Sequence, residues 1–183
     1  ANGPYATIGT GSELRVVPKP SGAPIYSSSD VLIGTVYDHA QDSDARASSS
    51  VRGSHHFPQQ LKDGEIGVRP RFADYDWRAN GESAGAWVNL SWPTARPVDT
   101  ILIYPSADPN YAVSKGTLQL NGGVSIPVVF PSQSKAPAVI GPSQLGGRVL
   151  TTNLKFTVTG FVSGATGDAA LSEISVLGPP PTP

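Results

Sequence analysis

The stretch Leu-Ser-Glu-Ile-Ser-Val at residues 171–176 ends the regular part of the chain, and Leu-Lys-Asp-Gly at 61–64 lies far before it. Asp63 belongs to a glycine-containing turn, whereas Glu173 belongs to a strand-like run. The two carboxylates can meet if the chain folds into a sandwich. Two carboxylates and a few loop carbonyls form the all-oxygen cage that suits calcium. These two motifs favour a binding module with a structural metal over an enzyme.

Short apolar runs separated by turn residues predict an all-β domain. Residues 98–104 are strongly apolar, which indicates a buried strand. Residues 117–120 alternate, an Asn-Gly-Gly turn follows at 121–123, and 124–130 continues the pattern, as in a hairpin. Residues 154–159 alternate between apolar and polar side chains. About eight such strands at short spacing predict an antiparallel β-sandwich of the jelly-roll kind.

Composition limits the chain to one globular domain. The 183 residues include 20 Gly and 18 Pro, which suits many short strands joined by loops and disfavours a helical protein. Lys and Arg are dispersed and the net charge is −1, so we expect no nucleic-acid partner. No apolar run approaches the length of a membrane span. We expect no membrane span and a monomer.

Cysteine is absent, which excludes disulfides, a thiol nucleophile and a thiolate metal site. Low charge together with abundant Ser, Thr, Gly and Pro favours a secreted, extracellular protein. Residues 1–35 read as an N-terminal extension or edge strands, 36–178 as the sandwich, and 179–183 as a proline-rich linker. Such a linker predicts an attached domain.

Five motifs in order resemble a known family. They are Leu-Lys-Asp-Gly at 61–64, Trp77, the Trp-bearing strand at 85–92, the aliphatic run at 98–104 and the Glu-Ile strand ending in Gly at 171–178. This order is similar to the galactose-binding-like fold of the discoidin, or coagulation factor type C, superfamily. It resembles most the accessory domains found beside secreted de-N-acetylases and glycoside hydrolases. The resemblance covers about residues 36–178.

The resemblance implies a calcium site and suggests its ligands. Asp63 matches the turn carboxylate, and Glu173 matches the carboxylate of the closing strand. Lys62 and Ser172 lie where the family supplies backbone carbonyls, and Asp74 stands near a further ligand position. The alternative interpretation is that Asp63 merely caps a turn and Glu173 is a solvated strand residue.

Sugar recognition needs a flat aromatic face and polar groups for the hydroxyls. The loop between Asp63 and Gly85 and the turn after Tyr104 carry this chemistry. The candidate ligand-binding residues are Arg71, Phe72, Tyr75, Arg78, Asn80 and Tyr111. We expect Trp77 and Trp87 to be core or loop-anchoring residues.

Catalysis has little support in the sequence. The spacing Gly-x-Ser-x-Gly occurs at residues 81–85, but it stands directly before the Trp-bearing strand and not between a strand and a helix as in a nucleophile elbow. No His-Glu-x-x-His pattern occurs. Adjacent strand residues face opposite sides, so His55 and His56 cannot readily chelate one ion from a strand. We therefore expect a non-catalytic carbohydrate-binding module attached to a catalytic domain, with a glycan as its partner. The alternatives are a structural domain that packs on a catalytic neighbour, or a small hydrolase.

Overall fold

The structure is a computed structural model of the chain. It describes residues 6–8, 14–16, 23–26, 32–52, 55–64, 66, 75–106, 108–131, 136–165 and 167–180. The strands in these ranges are β1 (Ala6–Ile8), β2 (Leu14–Val16), β3 (Ala23–Tyr26), β4 (Leu32–Asp38), β5 (Asp44–Ala47), β6 (Trp77–Arg78), β7 (Trp87–Val98), β8 (Thr100–Pro105), β9 (Val113–Leu120), β10 (Ile126–Val129), β11 (Ala138–Ile140), β12 (Val149–Phe161) and β13 (Ala170–Gly178). The helical segments are the 3-10 turns His39–Asp42, Pro58–Lys62 and Pro109–Tyr111, and the short helix α1 (Pro142–Leu145).

Two antiparallel sheets pack face to face. The first sheet has the strand order β10-β9-β12-β7-β5, and the second has the order β11-β8-β13-β4-β3, with β6 also paired to β13. Strands β1 and β2 form a separate antiparallel pair. This arrangement confirms the predicted antiparallel β-sandwich.

Strand alternation places one face of each sheet in a shared core. The core side chains of the first sheet include Val88, Leu90, Leu154 and Phe156, and those of the second include Ile101, Ile103, Ile174 and Val176. Trp77 is also fully buried in this core, as expected for an anchoring residue. Trp87 differs from the prediction, because it is half-buried on the outer face of the first sheet.

The predicted hairpin at 117–130 is present as β9 and β10, with Leu118 paired to Ile126. Asn121 and Gly122 both have positive φ, at 51° and 67°. They are the central residues of a turn in which the Gly123 amide donates to the Leu120 carbonyl at 2.9 Å, and positive φ at both positions favours Asn-Gly. In the part of the chain that the structure describes, no helix is long and apolar enough to cross a membrane.

Strand β13 is buried along its whole length, on both faces. Its core face carries Ile174 and Val176, as predicted. Its other face carries Glu173, Ser175 and Leu177, and these side chains are buried as well. The alternating pattern therefore predicts the correct face of the strand for Glu173, but it does not predict that this residue is fully buried.

Candidate functional site

One edge of β13 has an interrupted set of strand partners. Strand β6 pairs with its first residues, Ala170 and Leu171, and β4 pairs with its last two, Leu177 and Gly178. Between these points the 3-10 turn Pro58–Lys62 packs against β13. Here a side-chain carboxylate, and not the backbone of a neighbouring strand, accepts a hydrogen bond from β13. The backbone amide of Val176 donates to Asp38 Oδ1 at 2.8 Å.

Glu173 lies in this interruption and is fully buried. Burial, then the charge of Asp38 and then that of Asp63, raise its pKa to about 10, while the Gly64 backbone amide lowers it. Within the described residues, neither carboxylate oxygen of Glu173 has a hydrogen-bond partner of good geometry. The structure therefore brings Asp63 and Glu173 together, and an ionised Glu173 would lack a compensating charge.

Asp38 is the second buried carboxylate of this face. Its Oδ1 accepts from the amide of Ala40 at 3.0 Å as well as from Val176, whereas its Oδ2 has no partner among the described residues. Burial raises the pKa of Asp38, and its backbone hydrogen bonds oppose that rise. Tyr104 is paired with Glu173 across the sheet, and burial followed by the charges of Glu173 and Asp38 raises its phenol pKa.

The residues around Asp63 are held in place by polar contacts. The Lys62 ammonium donates to the carbonyl oxygens of Gln41 and Ser43 at 3.1 and 2.5 Å. The Gln60 amide donates to Asp63 at 3.1 Å. These bonds fix the end of the turn Pro58–Lys62, and with it the backbone that precedes Gly64.

The metal prediction is covered only in part by the described residues. Asp63, Glu173, Lys62 and Ser172 are described, whereas Asp74 lies outside them. Ser172 is buried beside Glu173. Among the described residues, no group of three or more His, Cys, Asp or Glu side chains could hold a metal ion. Backbone carbonyls would therefore have to supply the remaining oxygen ligands, as is common for calcium.

A second group of predicted residues is organised by β6. The Trp77 indole nitrogen donates to the Ser49 carbonyl at 3.1 Å, and the His56 ring nitrogen Nδ1 lies 2.7 Å from the Asp76 carbonyl. The Val51 amide donates to the Arg78 carbonyl at 3.0 Å. These bonds fix the short strand beside Ala170 and Leu171, the residues that begin β13.

Arg78 and Tyr111 are in direct contact. The Arg78 guanidinium lies 4.7 Å from the centre of the Tyr111 ring, a cation–π distance. The turn Pro109–Tyr111 is capped by Asp108, which accepts the Asn110 amide at 2.9 Å. Gly167 leaves room for the tyrosine, since a Cβ there would stand 2.1 Å from the Tyr111 ring.

An exposed aromatic pair lies in the same region of the fold. The Tyr75 and His55 rings are 5.3 Å apart, and Tyr75 is 43% exposed. Phe57 is 46% exposed just before the turn Pro58–Lys62. Asn80 is exposed, and its backbone amide donates to Ser49 Oγ at 2.9 Å. We call Tyr75, His55, Arg78, Asn80 and Tyr111 the loop cluster.

Four of the six predicted ligand-binding residues thus lie in the loop cluster, and Arg71 and Phe72 lie outside the described residues. Sequence reasoning did not select His55, because a His-His pair alone suggests only a polar loop. Nor did it select Asp38, since nothing in its local sequence points to a hydrogen bond across 138 positions.

Comparison with known sequences identifies the family of the chain. A family model described as a domain of unknown function (DUF7402) matches residues 38–177. The chain belongs to this family. No curated protein matches the chain.

Solved structures confirm the galactose-binding-like fold. The family 32 carbohydrate-binding module of Clostridium perfringens NanJ in complex with galactose is 18% identical with a TM-score of 0.60, covering 78% of this chain and 99% of that one. Chitosan-binding module 1 from a Paenibacillus chitosanase/glucanase is 16% identical with a TM-score of 0.55, covering 78% and 99%. A fucolectin from striped bass serum is 16% identical with a TM-score of 0.62, covering 79% of this chain and 49% of that one. At these identities the similarity establishes the fold.

Proposed function

We propose that this domain binds carbohydrate without catalysing a reaction, and that the loop cluster is its binding site. The observation that carries the proposal is the contact between Arg78 and Tyr111, together with the exposed Tyr75, which stands three residues before Arg78 and is paired with the His55 ring. Exposed aromatic rings offer flat surfaces to the apolar side of a pyranose, and Arg78 and Asn80 can bond its hydroxyl groups. Structures of similar fold are described as bound to galactose or as chitosan-binding, which supports this ligand class.

We propose further that calcium binds at Asp63 and Glu173. The carbonyls of Lys62 and Ser172 would complete the oxygen set, together with Asp74. The buried Glu173 carboxylate fits this role, since a cation would offset the cost of ionising it away from water. The ion would supply positive charge and hold the segment after Lys62 against β13. A rigid segment there would in turn support the loop cluster near the start of β13.

The setting of the domain is part of the same proposal. It would act as a monomer outside the cell, beside an attached catalytic domain. Binding to a polysaccharide would keep that catalytic domain at a high effective concentration near its substrate. The chitosan-binding module of similar fold is derived from a chitosanase/glucanase, an example of this arrangement.

A glycan panel tests the binding site. The panel would include galactose-, fucose- and amino-sugar-containing glycans, both acetylated and deacetylated, measured by calorimetry against the best ligand found. We expect Arg78→Gln to weaken binding by about 10- to 100-fold, because a hydrogen bond from a charged donor contributes about 1.5–3 kcal/mol. Tyr75→Ala should weaken it as well, by removing the exposed ring.

The matched control is Arg148→Gln. Arg148 is exposed and paired with Asp99 at 2.8 Å, in a region that contributes no residue to the loop cluster. The Arg148→Gln variant should bind the glycan as tightly as the parent protein does. If no glycan of the panel binds, or if Arg78→Gln and Tyr75→Ala bind as tightly as the control, the loop cluster is not a sugar site. The packing alternative would then explain the domain better.

A further inference from the structure

The outer face of the first sheet is a second, chemically distinct surface. Its two central strands, β7 and β12, present Trp87, Asn89, Lys155 and Thr157, which are all half-buried. Trp87 is paired with Thr157 across the strands, and Asn89 with Lys155. We call this surface the sheet face. It lies opposite the core side of the first sheet and uses none of the residues of the loop cluster.

Trp87 gives the sheet face an aromatic surface. The Lys155 ammonium stands 4.8 Å from the centre of its indole ring. The other two tryptophans are core residues, and their indole nitrogens donate inward to the carbonyls of Ser49 and His39 at 3.1 and 2.7 Å. Trp87 is thus the one tryptophan of the chain on an outer face, where its large apolar ring is only half covered.

Amide groups extend the sheet face to either side of the ring. The Asn153 amide donates to Asn89 Oδ1 at 2.6 Å across β12 and β7. Gln119 of β9 lies opposite Lys155, and Arg46 of β5 lies opposite Asn89. A polar row therefore crosses four strands, and at about 4.8 Å between neighbouring strands it spans roughly 14 Å. Such a row offers both donors and acceptors for the hydroxyl groups of an extended chain.

The charge of the sheet face is positive among the described residues. Lys115 lies across Gly160, since a Cβ at that glycine would stand 2.5 Å from Lys115 Cε. Asp44 does not offset the positive charges of Lys115 and Lys155, because it is paired with Arg46 at 2.8 Å. Glu82 lies beyond the end of β5 and accepts hydrogen bonds from Ser48 and Ser49. The chain as a whole carries a net charge of −1, so this positive surface is a local feature.

We propose that the sheet face binds an acidic polysaccharide, with a sugar ring against Trp87 and the carboxylate or sulfate groups beside Lys155 and Lys115. An anionic chain is complementary in charge to the two lysines, and its hydroxyl groups can form hydrogen bonds with the polar row. This site goes beyond the loop cluster in both residues and ligand charge. The shared chemistry is an anionic glycan, and uronic acids and sulfates are its two sources.

The test follows the three tryptophan indole signals in ¹H–¹⁵N spectra during titration. The probes are oligogalacturonate, a heparin-derived oligosaccharide and a neutral oligosaccharide of equal length. We expect one or both acidic probes to shift the Trp87 indole, while the buried Trp77 and Trp92 indoles stay in place as internal references. The neutral probe should shift Trp87 far less. A Trp87 indole that does not move with either acidic probe at millimolar concentration overturns the proposal.

Two variants make the test residue-specific. Trp87→Ala should weaken acidic-glycan binding by about tenfold or more, and Lys155→Gln by about threefold to tenfold. Lys155→Gln keeps the ring and serves even if Trp87→Ala fails to fold. Arg148→Gln is the charge-matched control, and equal weakening by that variant would indicate non-specific attraction and contradict the site. The glycan panel with Arg78→Gln reports on the loop cluster, whereas the Trp87 indole signal and Lys155→Gln report on the sheet face, so a failure of one site is distinguishable from a failure of the other.

Discussion

In the presence of a chelator, the free energy of unfolding should fall as the pH rises from 5 to 9. Glu173 has an ordinary pKa of 4.5 in the unfolded chain and one of about 10 in the fold, chiefly because of burial. Between these two values the folded state retains a proton that the unfolded state has lost. The stabilisation is complete below the unfolded pKa and disappears as the pH rises through the folded one. Glu173 alone gives a slope of up to about 1.4 kcal/mol per pH unit.

Calcium should prevent most of this pH-dependent loss of stability. A cation that binds the ionised carboxylate stabilises the folded state by mass action, so unfolding at pH 9 should shift to markedly higher urea concentration with calcium than with chelator. The measurement is a set of urea unfolding curves at pH 5, 7 and 9, each with excess calcium and with chelator. Asp38 acts in the same direction as Glu173, because burial raises its pKa too.

The variant Glu173→Gln separates the contribution of Glu173 to the pH dependence from that of Asp38. The variant cannot ionise, so it should have a shallower pH dependence in chelator and should lose most of the calcium response. Asp44→Asn is the control, since Asp44 is exposed and its surface ion pair with Arg46 contributes little stability. A parent protein with the same stability at pH 9 with and without calcium would remove the calcium proposal. A parent protein that gains stability from pH 5 to 9 in chelator would contradict the protonated state of Glu173.

The pattern of the sequence was sufficient for the fold. The hairpin at 117–130 carries its own turn chemistry in Asn121 and Gly122, so local residues decide it. The closing strand alternates between polar and apolar residues over 173–176, which correctly assigned Ile174 and Val176 to the core. The family resemblance then brought Asp63 and Glu173 to one place, and the structure has them adjacent. These features depend on local pattern and on the order of motifs.

Features that depend on distant contacts could not be predicted in this way. Alternation treats the second face of β13 as open to water, yet Glu173 and Ser175 are buried there. Asp38 completes the pairing of β13 from far along the chain, and no local pattern encodes that bond. Trp77 and Trp87 look alike in sequence, and only the assembled sheets put one in the core and the other on an outer face.

The steric requirement at Gly178 predicts the largest effect of a single methyl group. Gly178 ends β13, where it pairs with Tyr37. A Cβ at this position would stand 1.8 Å from the Pro97 carbonyl oxygen and 3.3 Å from a ring nitrogen of the buried His39. The nearest obstacle is backbone rather than a mobile side chain, so relief requires β13 and the end of β7 to move apart.

Gly178→Ala should therefore destabilise the fold by about 3 kcal/mol or more, and lower the midpoint of thermal unfolding by about 10 °C. Gly141→Ala is the matched control, because no atom lies within 4 Å of its added Cβ and its φ of −100° suits any residue. That variant should unfold close to the parent protein. Calorimetry of the three proteins in the same buffer decides the matter. If Gly178→Ala unfolds together with the control, β13 and β7 do not approach each other as closely as the structure has them.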